Sequence, residues 1–136
     1  MRIAVVLVLV LLLVAPAAAT STSGPATARA VLLTQVSLFR QGKFKAMYTT
    51  TYTPTYRAHC PWSAFKRGQT ALKRYLGPGF TLRRVRTRML SARRALLAYQ
   101  LLRRDGTVAG TATFQDHDLY VKTGSRWYDE YDGKGC

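Results

Sequence analysis

The sequence predicts an α+β domain, with helices packed on one face of a mostly antiparallel sheet. Three observations carry the prediction. Apolar residues recur at three- and four-residue spacing between Ala28 and Leu76, then give way to alternation from Phe80 onward. The alternating runs are separated by the tight-turn pairs Asp105-Gly106 and Gly124-Ser125. All helical patterns precede all strand patterns, which is the order of an α+β chain and not of repeated βαβ units.

Taken in order, the chain opens with Met1 and Arg2, an apolar run from Ile3 to Val14, and the small residues Ala15-Pro16-Ala17-Ala18-Ala19. This is the pattern of a secretory signal peptide over residues 1–19, with cleavage after Ala19 and with Ala17 and Ala19 as the small residues of the cut. A membrane-spanning helix needs about 20 apolar residues. The twelve-residue run is shorter, so an uncleaved anchor is the second reading. Residues 20–25 form a small polar leader, and residues 26–136 are the length of one domain.

The periodicity predicts a first helix after Pro25, carrying Ala28, Val31, Leu32, Val36 and Phe39 and ending near Gly42. A short second helix follows from Lys43 to Thr50. The threonine-rich run Thr49 to Thr55 breaks it through β-branching and Pro54. Two further helical stretches are expected, Cys60 to Lys66 and Gln69 to Leu76, the latter closed by Gly77-Pro78-Gly79.

Phe80 to Arg104 reads as two strands joined at Ser91 and Ala92. Alternation puts Arg84, Arg86 and Arg88 on one face of the first strand and Val85, Thr87 and Met89 on the other. The second, Ala95 to Leu102, is apolar on both parities, which suits a central strand or one whose second face meets another copy. A half-buried strand after Asp105-Gly106 sets Val108, Ala112 and Phe114 against Thr107, Thr111 and Thr113. Gln115 to Asp118 then interrupts the alternation as a turn or bulge, and Leu119 to Thr123 and Arg126 to Tyr131 form a closing hairpin.

Charge is segregated along the chain. Between Thr20 and Arg104 lie seventeen Lys or Arg and no acid; all six Asp and Glu lie from Asp105 onward. After residue 19 the chain carries twenty basic against six acidic residues, a net of +14. Such a field favours anionic partners, an acidic polymer or a membrane surface, and weakens with salt. A solvated basic surface with no partner explains the same count. No motif of a sequence-specific nucleic-acid reader accompanies it.

Two cysteines, Cys60 and Cys136, make one disulfide the simplest arithmetic in an oxidising compartment, with two free thiols as the alternative. His59 and His117 lack ligand spacing around them, so no metal is expected, and nothing in the sequence calls for a cofactor. Tyr52 and Tyr56, each with an apolar body and a polar tip, are candidate ligand-lining residues beside a packing role.

The Gly42-Lys43-Phe44 entry, the Leu76-Gly77-Pro78 helix end and the closing Lys122-Thr123-Gly124-Ser125-Arg126-Trp127-Tyr128 hairpin resemble secreted bacterial members of the nuclear transport factor 2-like (SnoaL-like) superfamily. The resemblance covers nearly all of residues 26–136. It implies a cone-shaped, cystatin-like fold with helices on a curved sheet, and Cys60 before Pro61 with Cys136 resembles a recurrent disulfide of secreted relatives. It fixes no activity, because enzymes and binding modules share the fold. Isomerases and hydro-lyases of that fold need a carboxylate inside the cone as proton shuttle. Here Asp116, His117 and Asp118 form the sole His/Asp neighbourhood, and a solvent-exposed turn is the plainer reading of it. The expectation is therefore a non-enzymatic domain with no catalytic residues, binding a small apolar or anionic ligand with Arg84, Arg86 and Arg88 available to anionic groups. A hydro-lyase or isomerase and a homodimeric interaction module are the alternatives.

Overall fold

The computed structural model describes residues 27–116, 118–134 and 136. The expected signal peptide (1–19), the leader (20–25) and His117 lie outside the described residues. Four helices come first, α1 (Ala28–Arg40), α2 (Phe44–Thr51), α3 (Pro54–His59) and α4 (Trp62–Leu76), and five strands follow, β1 (Thr81–Ser91), β2 (Arg94–Leu102), β3 (Val108–Ala112), β4 (Asp118–Thr123) and β5 (Arg126–Asp129). The strands form one open antiparallel sheet in the order β1-β2-β4-β5, with β3 also on β2.

Helix α1 starts where Thr27 caps it: the Ala30 amide donates to Thr27 Oγ1 at 3.1 Å. Its stripe of Ala28, Val31 and Leu32 packs on Ala95, Leu97, Tyr120 and Trp127 of the sheet. Fully burying one Val or Leu contributes about 1.5–3 kcal/mol, so this layer is a principal source of stability. A second cluster, Phe39, Met47, Tyr48, Tyr52, Phe65, Leu76 and Phe80, fills the other end between α1, α2 and α4.

Two helical expectations are corrected. Pro54 does not only end α2; at the first turn of α3 its missing amide costs nothing, and Thr53 Oγ1 accepts the Tyr56 amide at 3.0 Å to cap that helix. The stretches expected at Cys60 to Lys66 and Gln69 to Leu76 are one helix, α4, continuous through Gly68. There the absent side chain leaves room for the Cys136 carbonyl, 3.5 Å from where a Cβ would stand.

The alternation expected in β1 is broken by a bulge. Arg83 faces Gln100 and Arg86 faces Ala98, so Arg84 and Val85 together oppose Tyr99 alone. Arg84 takes a left-handed backbone, φ 54°, uncommon outside glycine. The register puts Arg83, Arg86 and Arg88 on one parity of β1, Arg84 reaches the same outer depression as Arg86, and Leu82 and Val85 pack on the helical side.

Strand β2 is central, as its two-sided apolar pattern requires. Ala95 and Leu97 are fully buried under the helices, and Leu96 and Ala98 on the other face are 5% and 1% exposed within the single chain. Its second edge is divided: β3 pairs with Tyr99 to Leu102 and β4 with Arg94 to Leu97. Strands β3 and β4 thus run in line, and residues 113–116 make an excursion opposite Ala98. A further irregularity at Ala109 leaves Val108 53% exposed, where a half-buried side chain was expected.

Cys60 and Cys136 are bonded, with Cα atoms 5.5 Å apart. The closure spans 76 residues, and on a chain-entropy basis restricting so long a loop in the unfolded state is worth about 4 kcal/mol. Replacing both cysteines by serine is expected to lower the unfolding free energy by about that amount, read in denaturant titrations as a lower midpoint together with a higher m-value, because the unfolded chain is less compact without the crosslink. A shift under about 1 kcal/mol would mean that the unfolded chain gains little freedom from the loss.

Candidate functional site

Between the helices and the inner face of the sheet lies a cavity of about 200 Å³. Its walls are apolar, with Leu32, Val36, Phe39, Met47 and Leu72 among them, and its polar groups converge at one place: Gln35, Tyr52, Tyr99, Asp118, Tyr120 and Asp129. A cavity of ~150 Å³ in another protein accommodates benzene, so this one is of the size for a single substituted ring.

The strands place these groups. Tyr120 faces Asp129 across β4 and β5, and Asp118, two residues before Tyr120, shares its face. The break in pairing between β3 and β4 resets the alternation, so that Asp118, opposite Leu97, turns inward. From the helical side Gln35 enters at the position of α1 where the apolar stripe would otherwise continue, 6% exposed.

Gln35 is fully engaged. Its Nε2 donates to Asp129 Oδ2 at 2.9 Å and to Thr51 Oγ1 at 3.3 Å, and its Oε1 accepts from Tyr120 Oη at 3.2 Å. The hydroxyls of Tyr99 and Tyr120 lie beside the Asp118 carboxyl.

Desolvation raises the Asp129 carboxyl well above its ordinary value, the nearby Asp118 adds to the effect, and Gln35 opposes it. Asp118 is raised by desolvation too, against the lowering influence of the Tyr99 and Tyr120 hydroxyls. As a residue it keeps some surface, but its carboxyl end lies in the crowded interior. Two carboxyls in one low-dielectric site resist ionising together, so the pair releases its protons less readily than free aspartates do. Burial and the same carboxylates push the hydroxyls of Tyr52, Tyr99 and Tyr120 up, so all stay neutral donors. No Lys or Arg lines this cavity.

The residues singled out from the sequence separate into three places. Tyr52 lines the cavity, and Tyr56 stands behind it with ring centroids 4.2 Å apart. Arg84 and Arg86 border a depression on the outer face together with Gln100, Thr111 and Thr113, and Arg88 is exposed further along β1. Of the Asp116, His117 and Asp118 neighbourhood, Asp116 is exposed and bonded to Thr113, while Asp118 is in the cavity wall. Among the described residues no group of three His, Cys, Asp or Glu is arranged to hold a metal.

Sequence reasoning missed Gln35, Tyr99, Tyr120 and Asp129. Two signals were available: a glutamine inside an apolar helical stripe, and an aspartate two residues after Trp127, on the same strand face. The chain matches no protein-family model, no curated protein and no solved structure.

The raised carboxyls fix the sign of the pH dependence. A native pKa above the unfolded value, about 4 for aspartate, means that the folded chain binds more protons over the interval between them. The contribution is present below about pH 4 and is lost as pH rises through the native values. Asp105, held below its ordinary value by the Thr107 amide, acts in the opposite sense, as pH falls below about 4. Stability should therefore decline in urea titrations as pH rises above about 4, and Asp118→Asn with Asp129→Asn should flatten that decline; a slope of the other sign would refute the raised carboxyls.

Proposed function

We propose that this chain is an exported, non-enzymatic domain of the nuclear transport factor 2-like class whose cavity binds a compact, largely apolar molecule through a hydrogen-bond donor or an amine. The observation that carries the reading is the pair of buried carboxyls, Asp118 and Asp129, at the polar end of an apolar cavity that no Lys or Arg lines. Perturbed titratable groups in an apolar cleft are the ordinary mark of a binding or active site. A ligand amine supplies the charge the pair lacks, with tyrosine rings beside it to favour a cation. Anions are disfavoured there, so an anionic partner belongs to the arginines outside. Export is supported by the signal-like pattern of residues 1–19 and by the disulfide; among the described residues no helix is long and apolar enough to cross a membrane. The class is supported by the order of helices and sheet together with the motifs named above.

A second reading has its own observation. Asp118, beside Tyr99 and raised by burial, is a carboxyl of the kind that moves a proton in isomerases and hydro-lyases.

Thermal shift with benzylamine, benzyl alcohol and benzoate tests the binding. Benzylamine and benzyl alcohol should raise the melting temperature, benzoate should not, and Asp118→Asn should weaken benzylamine by roughly tenfold, the scale of one charge-assisted hydrogen bond. Benzoate binding as well as benzylamine would overturn the assignment. Exchange of acidic C–H protons of a cavity-bound ketone, lost in Asp118→Asn, would favour the second reading over the first.

A further inference from the structure

The hairpin joining β1 to β2 ends in a feature that neither core cluster nor the cavity uses. Pairing runs through Met89 with Ala95 and resumes at Ser91 with Arg94, which leaves Leu90 as an extra residue on β1. Such a bulge re-aims a side chain, and the result is two consecutive apolar residues in water, Met89 at 53% and Leu90 at 48% exposure. Arg88, Arg93 and Arg94 are exposed around them. Met89 also borders a shallow depression with Thr27 and Arg29, so the start of α1 lies at the same end. The salt bridge found among the described residues joins Lys134 and Asp116, far along the sequence from these guanidiniums.

We propose that the tip of the β1–β2 hairpin docks on an anionic lipid surface, with Met89 and Leu90 entering the acyl boundary while Arg29, Arg88, Arg93 and Arg94 meet the headgroups. Charge decides against a second copy of the chain, because two such tips repel. The apolar pair decides against a soluble polyanion, which would satisfy the arginines and leave Met89 and Leu90 in water. A lipid interface satisfies both, since apolar burial and attraction to acidic headgroups add.

Flotation with vesicles of phosphatidylcholine alone and of phosphatidylcholine with phosphatidylglycerol tests this, using residues 20–136, the chain that cleavage after Ala19 leaves, for the parent and every variant. Binding is expected to the anionic vesicles and to fall with salt. Met89→Ser with Leu90→Ser should weaken it about tenfold or more, and Arg88→Ser with Arg93→Ser and Arg94→Ser by a similar factor. Arg103→Ser with Arg104→Ser, at the other end of β2, should stay within about twofold because screened charges far from the surface contribute little. Met89→Trp, a second probe that retains an apolar tip, should show a blue-shifted emission with anionic vesicles only. Equal losses for the Arg103/Arg104 pair, no loss for the Met89/Leu90 pair, an unshifted tryptophan, or capture by heparin as strong as by vesicles and indifferent to Met89 and Leu90 would each overturn the proposal.

Discussion

The structure depends on one buried side-chain amide. Gln35 is the place where the helical layer and the sheet are joined by polar bonds: it holds Asp129 on β5, Tyr120 on β4 and Thr51 at the end of α2. Beside it the chain makes a short parallel bridge between Tyr52 and Asp129, with the Thr53 amide donating to the Asp129 carbonyl at 3.0 Å. An apolar residue at Gln35 would leave a carboxyl and a phenol to find partners in a dry interior, at about 1–3 kcal/mol for each group left unmade, while Thr51 keeps its bond to the Met47 carbonyl. The aspartates can therefore stay inside because the helix brings a donor to them.

That arrangement sharpens the charge separation seen along the chain. Two of its six acids are withdrawn into the interior, so the surface is more basic than the formal count suggests. The arginines of β1 and β2 are distributed by two bulges. One turns Arg84 out of the alternation; the other exposes Leu90. Inside and outside thus have opposite preferences, a cationic or donor-bearing guest within and an anionic surface without.

Much of the architecture was legible in the sequence because periodicity is a direct consequence of which face is buried. The start of α1, the two-sided burial of β2 and the turns at Asp105-Gly106 and Gly124-Ser125 follow from local pattern. The exceptions have physical causes. Gly68 weakens a helix in isolation, but α4 is held by Phe65 and Leu76 in the core, and tertiary packing overrides propensity. The bulges at Arg84, Leu90 and Ala109 leave no composition signal, and each changes which residues share a face. The inward turn of Asp118 depends on the register at which β4 takes over from β3 along β2, which alternation alone cannot count. Asp129 and Gln35 are read as surface residues until both strand register and helix phase are known.

The bond between Cys60 and Cys136 turns everything from α4 to β5 into a covalent ring. A protease that cuts at the exposed Asp105-Gly106 turn would open the ring without releasing either arm. The severed halves, still joined through sulfur and still paired along β2, would travel as one body until a reductant separated them, so damage at that turn would be silent in an oxidising environment and revealed on entry to a reducing one.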